Sequence, residues 1–318
     1  MSTSRKTIYV AILANAGIAA AKIVGFVFTS SSAMLSEAIH SLVDCGNGGL
    51  LLLGQRLSSR PPDRTHPFGY GKELYFWSLI VALLIFVLGG GISIAEGIDH
   101  IRHPKAGEDA IWAYGILGVS ILFETYSFVV SIKEFKLAHP GLTIMQGIKV
   151  SKDPSGFTVI YEDAAALMGL ITALVGIFLS HTFGWLRADG IASVVIGSLL
   201  IGVAVLLIVK CKTLLIGESG DDGMLQTIRG LAQADPDIDK AGYPFTMYFG
   251  PHTVLLTMNV QFRKGLAASE TEASIDRVET AIREAYPDVR HIYLEADSLR
   301  DSGSERGRYP GRGFGSAS

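Results

Sequence analysis

Charge is scarce in this chain. Only 18% of its 318 residues are Asp, Glu, Lys or Arg, and the mean hydropathy is +0.37, too apolar for an ordinary water-soluble protein of this length. Cysteine is scarcer still. Cys45 and Cys211 stand apart with no CxxC spacing, so neither a disulfide framework nor a thiolate zinc site is supported. No basic tract interleaved with aromatic residues occurs, and the formal net charge is −3, which gives no reason to expect a nucleic-acid partner. An HExxH run and a nucleophile with a paired base are also missing, so the chain does not read as an enzyme.

What the chain does have is long apolar runs. Six segments, roughly 7 to 29, 33 to 57, 74 to 101, 109 to 132, 157 to 181 and 187 to 212, can cross about 30 Å of hydrocarbon at about 1.5 Å per residue. The first follows Arg5 and Lys6 and could be a signal peptide, but it is long and lacks a small-residue cleavage site, so it is read as a span. With both termini cytosolic, the inner side receives Arg5, Lys6, Arg56, Arg60, Arg64, Lys72, Lys133, Lys136, Lys149, Lys152, Lys210 and Lys212. The outer loops then hold Arg102, Lys105 and Arg187. That asymmetry sets the orientation. The expected setting is an integral protein of the plasma (inner) membrane, with the lipid bilayer as its first partner.

After residue 216 the composition becomes water-soluble. Residues 217–300 read as helix, strand, strand, helix, strand: a helix from Asp222 to Ala234, a strand pair split at Gly250-Pro251, a helix opened by Ser269 with Glu272 as capping-box partner, and a last strand from His291 to Ala296. Apolar residues alternate along Thr253 to Phe262, as on a sheet with one buried face. This is a small α+β domain attached to a six-helix transmembrane domain, 1–216. Residues 301–318, rich in Gly, Ser and Arg, read as a disordered tail.

Within the second span, S-E-A-I-H-S-L-V-D-C-G-N, a helix stacks Glu37, His40, Asp44 and Asn47 on one face. Ionisable groups at bilayer depth are costly and mark ion or proton paths. His40 and Asp44, one turn apart, could aim a nitrogen and an oxygen at one metal ion, or could hydrogen-bond to neighbouring helices. The fifth span carries Glu162 and Asp163. Adjacent residues point about 100° apart, and Asp163, on a stripe with Ala166, is the better candidate; both acids could instead mark the membrane surface. Glu124 could pass protons, join a metal shell or only hydrogen-bond. Asp189 is expected to cap the sixth span, Glu96 lies in the third, and Asn15 offers a polar contact in the first. The loop S-S-R-P-P-D-R-T-H-P-F-G-Y-G-K brings Asp63 and His66 together, either as a metal site or as part of a rigid turn. His252 and His291 form no close cluster in the soluble segment.

The A-M-L-S-E-A-I-H-S-L-V-D stretch, the P-D-x-x-H-P-F-G-Y-G-K loop, E-D-A-A-A-L-x-G and R-A-D-G resemble the cation diffusion facilitator family, most of all its zinc transporter 9-like branch. The resemblance covers the chain to about residue 300. It implies a homodimer that exports Zn²⁺ in exchange for H⁺ by alternating access, a secondary active transporter needing no cofactor. It also implies a tetrahedral transport site with two ligands from the second span and two from the fifth, each pair four residues apart. His40, Asp44 and Asp163 fill three positions, and Val159 stands at the fourth. Glu162, Glu37 or water could substitute, and Mn²⁺, Co²⁺ or Fe²⁺ are alternative cargoes. Asp63 and His66 match a peripheral metal site in which Tyr70 replaces a further histidine. Met258, Glu272 and Leu294 stand where the cytosolic domain usually binds zinc. His40, with an ordinary pKa of about 6.5, is the expected proton partner, with Glu124 on the same path. The rival reading is a transport-deficient membrane protein acting through its cytosolic domain and partners.

Overall fold

The computed structural model describes residues 16–28, 30–104 and 110–296. Asn15, Arg5, Lys6, Lys105 and the expected tail lie outside them. The chain divides into two compact units, Met1–Ile216 and Gly217–Ser318.

The first unit is helical throughout: α1 (Ala16–Phe28), α2 (Ser32–Ser58), α3 (Lys72–Leu84), a π-helical stretch (Ile85–Gly91), α4 (Ile92–Arg102), α5 (Ala110–Ala138), α6 (Ile144–Val150), α7 (Pro154–Phe183) and α8 (Arg187–Ile216). Among the described residues, four helical segments are long and apolar enough to cross a membrane: Lys72–Arg102, Ile111–Ala138, Pro154–Phe183 and Arg187–Ile216. The 27 residues of α2 reach about 40 Å, and α2 and α1 fall in the two remaining expected spans. This is a polytopic α-helical membrane protein. Leu122, Phe123, Tyr126 and Val129 are exposed along α5, as side chains facing lipid would be.

Local chemistry sets the helix ends. Asp153 caps α7 by accepting from the Ser155 N–H at 2.9 Å, and Pro154 needs no donor there. At the other end Gly184 takes a left-handed φ of 67°. The short α6 was not anticipated, although Thr143 and Gln146 bracket a complete capping box before it.

Helices α4 and α8 are antiparallel neighbours in backbone contact. A Cβ on Gly97 would meet the Gly190 carbonyl at 2.6 Å, and one on Gly197 would meet the Gly90 carbonyl at 2.7 Å. Gly90 of the π-helical stretch and Gly97 of α4 therefore form one seam with Gly197 and Gly190 of α8, the small-residue packing that membrane helices use where lipid gives no hydrophobic drive.

The second unit builds its sheet around β3 (Thr253–Phe262). Along one edge run β2 (Phe245–Gly250) and then β1 (Ile238–Ala241), both antiparallel; on the other lies β4 (Val289–Ala296), parallel and reached through α10 (Ala268–Ala285). Val254, Leu256, Met258 and Val260 are buried in alternation. They pack with Met224 and Ile228 of α9 (Asp222–Gln233) and Val278 and Ile282 of α10. The strand β1 was missed because only four residues form it. The expected cap at Ser269 and Glu272 is displaced: Ala267 is the cap residue, and Glu270 reaches back to its N–H at 2.7 Å.

Asp235 ties α10 to the turn before β1. Buried, it accepts from Ser274 Oγ at 2.7 Å and from Arg277 Nε and Nη2 at 2.7 and 3.0 Å. Burial acts to raise its pKa, but the hydrogen bonds from Arg277 and Ser274 outweigh it and hold the carboxyl below its ordinary value of 3.8. A depressed acid stabilises the fold above its unfolded pKa, and that contribution is lost as pH falls through the folded pKa. Arg277→Ala should therefore cost about 2 kcal/mol at neutral pH. The check is faster amide exchange across α10 in the full chain, with the gap between variant and parent closing below pH 3.8.

Candidate functional site

The site is placed from the α8 end. Asp189 was expected to cap its own helix at the surface. It is instead buried and accepts from Ser31 Oγ at 2.6 Å, Ser32 N at 2.7 Å and Ser32 Oγ at 3.2 Å. Ser31 in turn caps α2 through the Met34 N–H at 3.1 Å. One carboxylate thus satisfies the start of a different helix. The next turns of α2 are pinned by Ser36 against Ser193 of α8.

From this start α2 presents Glu37, His40, Asp44 and Asn47 inward, as its spacing requires. His40 is buried, with Nδ1 3.6 Å from Asp44 Oδ1. Both His40 ring nitrogens and Asp44 Oδ1 are shielded from solvent yet make no hydrogen bond. Leaving such groups unsatisfied costs about 1–3 kcal/mol each. Packing does not explain that cost, and a ligand would remove it.

The remaining predicted ligands divide between two neighbours. Glu162 of α7 turns toward α2, where Asn47 Nδ2 donates to its Oε1 at 2.8 Å. Asp163 turns toward α5, where it accepts from Ser131 Oγ at 2.6 Å and Ser127 Oγ at 3.3 Å. Glu124 lies three residues before Ser127 on that α5 face and is within electrostatic reach of Asp44 and Asp163. Among the described residues, no three His, Cys, Asp or Glu side chains are gathered tightly enough to hold a metal ion in this conformation.

Glu37, an expected substitute ligand, is engaged through one oxygen, while its Oε1 is buried without a hydrogen bond. Its Oε2 lies 3.1 Å from Lys22 Nζ of α1, and both side chains are fully buried. Lys22 also donates to Ser41 Oγ at 2.8 Å. On the other side, the Glu37 carboxylate fills the space that a Cβ on Gly169 of α7 would take. Sequence reasoning missed Lys22, although a lone basic residue inside A-A-A-K-I-V-G-F is the same signal that singled out His40.

The loop pair resolves as a rigid turn. Asp63 Oδ1 accepts from Thr65 N, Thr65 Oγ1 and His66 N at 2.7–2.8 Å, and Oδ2 accepts from Tyr70 OH at 2.7 Å. The Thr65 hydroxyl, with Tyr70 and the His66 N–H, holds the carboxyl well below the usual range. His66 Nδ1 lies 3.8 Å from Asp63 and its ring packs on Tyr70. Asp63 thus spends its oxygens on loop structure. In the second unit, Met258 is core and pairs in register with Leu294.

A cavity of about 620 Å³ lies beside the site, lined by Ser131, Glu134, His139, Asp153 and Val159 among others. It joins the site through Ser131, whose hydroxyl holds Asp163. Val159, which cannot ligate, thus borders open space.

Residues 8–216 match the family model described as the cation efflux transmembrane domain. The mitochondrial proton-coupled zinc antiporter SLC30A9 of Xenopus laevis is 32% identical over 330 residues, covering 91% of this chain and 59% of that protein. Metal tolerance protein C4 of Arabidopsis thaliana is 29% identical over 310 residues, 84% of this chain and 68% of the relative. The manganese efflux system protein MneP of Bacillus subtilis strain 168 is 23% identical over 298 residues, 92% and 96%. This chain spans about half the length of the SLC30A9 relatives. The word mitochondrial in their name gives the plasma-membrane expectation no support.

Proposed function

This chain belongs to the cation efflux family, and we propose that it moves a divalent cation, Zn²⁺ first, out of the compartment that holds its basic loops in exchange for protons. The observation that carries this reading is the pair of buried His40 and partly buried Asp44, one turn apart in a membrane helix, with both His40 nitrogens and Asp44 Oδ1 unspent. Glu162, already brought to the α2 face by Asn47, supplies a third group. Asp163 supplies the fourth when it exchanges its serine partners for the ion, and Glu162 thereby stands in for the ligand lost at Val159. One nitrogen with carboxylate oxygens suits tetrahedral Zn²⁺, and Mn²⁺, named in the Bacillus relative, is the alternative cargo.

Metal ligands must be deprotonated. Protons arriving from the far side at His40 therefore compete with the ion and release it, with Glu124 beside the site to pass them. The cation reaches Asp163 through the cavity bordered by Ser131. A second copy of the chain is the expected partner, supported by the exposed aromatic side chains of Tyr243, Phe245 and Tyr293 in the second unit. The test is flux of Zn²⁺ into proteoliposomes holding the full chain under an imposed pH gradient. Uptake that follows the gradient and reverses with it is the expected result. A parent protein that moves neither Zn²⁺ nor Mn²⁺ under any gradient overturns the reading.

A further inference from the structure

Nothing in the transport scheme uses Lys22, a fully buried cation one helix away from the site. Its Nζ bridges Glu37 at 3.1 Å and Ser41 at 2.8 Å, three residues before His40 and one after it on α2. We propose that Lys22 determines ion specificity: by holding Glu37 it withholds one more carboxylate from the cargo and fixes the balance of nitrogen and oxygen ligands in favour of Zn²⁺ over Mn²⁺. This inference rests on the transport reading above.

The geometry supports it at both ends of Glu37. Glu37 precedes His40 by three residues on the same helical face, within reach of a shared ion, and the charges of both Glu37 and Lys22 act on His40 through space. One carboxylate oxygen faces the ammonium, while the other lies against Gly169, where a side chain would leave no room. Glu37 is thus held by Lys22 through Oε2 alone, with Oε1 buried and without a hydrogen bond. A buried ion pair is not needed to hold α1 on α2, since apolar residues of the same volume would do so at equal or lower cost. Selectivity gives the pair a reason. Zn²⁺ is satisfied by four ligands including imidazole, whereas Mn²⁺ favours more oxygens in a larger shell. Freeing Glu37 adds such an oxygen.

The experiment is equilibrium binding of Zn²⁺ and of Mn²⁺, each added alone, to the purified full chain in detergent, with folding checked by monodisperse elution. Lys22→Met should raise the preference for Mn²⁺ relative to Zn²⁺ by about tenfold, the scale of effect seen when a partner behind a ligand is lost. Lys22→Met/Glu37→Gln should return the parent ratio, because the freed oxygen is then gone. Glu37→Gln alone should leave the ratio where it was. If Lys22→Met does not fold, Glu37→Gln decides: an unchanged ratio supports the proposal, and a tenfold shift overturns it, because Glu37 would already be serving the ion. A folded Lys22→Met with the parent's ratio also overturns it while leaving the transport reading intact. A parent that binds neither ion overturns both.

Discussion

Asp44→Ala is expected to cut Zn²⁺ flux more than a hundredfold while leaving the protein at least as stable as its parent. The flux loss follows from the proposal that Asp44 is a direct ligand, whose removal should exceed the roughly 10–100-fold cost of losing an outer partner. The stability result follows from the bonding pattern. Asp44 Oδ1 is buried without a hydrogen bond, 3.6 Å from a histidine whose nitrogens are equally unspent. Its removal takes away a desolvated acceptor and breaks no bond there, the usual trade at a site kept ready for a ligand. Flux in proteoliposomes and thermal unfolding in detergent, measured on the same preparation, check both halves. A variant that loses flux only because it unfolds would show Asp44 to be structural.

Asp189→Ala should do the reverse. Asp189 accepts three hydrogen bonds from Ser31 and Ser32, two of them shorter than 2.8 Å, and lies 3.4 Å from His100 Nδ1. Alanine would leave the Ser32 N–H and the Ser31 and Ser32 hydroxyls without their acceptor in a buried setting. The expected loss is about 3 kcal/mol, combining a lost cap with stranded donors. It should appear as a lower unfolding midpoint whether or not metal is present. Asp189→Asn, which keeps one acceptor oxygen, should recover part of it.

How much of this was legible in the sequence depends on the kind of signal. The length of apolar runs placed the membrane spans, and alternation placed the strand Thr253 to Phe262, because both are local properties of the chain. Helical spacing put Glu37, His40, Asp44 and Asn47 on one face of α2. It could not say which partner each would meet. Glu162 and Asp163 are neighbours in sequence, yet one bonds to α2 and the other to α5, a division set by helix packing. Asp189 looked like the cap of its own helix because the polypeptide around it is local, whereas its real partners lie 157 and 158 positions away. Lys22 and the capping box at Thr143 are local signals that the sequence does carry, a lone cation inside an apolar run and a Thr with Gln three residues on.

The glycine seam between α4 and α8 bears on how access could alternate at all. At Gly90, Gly97, Gly190 and Gly197 one backbone comes up against the other, and Ile201, Val194, Ile101 and Ile94 pack on these glycines. A slip of one residue, about 1.5 Å along the axis, would push Val194 or Ile201 into the facing main chain. The pair is therefore a keyed joint that resists sliding, a frame for the neighbouring helices of the first unit. Asp189 fastens the Ser31–Ser32 end of α2 to that frame, which makes this end a pivot. A small tilt about it would grow with distance along the helix, so that Asn47, about 22 Å further on, would sweep a wider arc than Glu37, His40 or Asp44 and carry its grip on Glu162 with it.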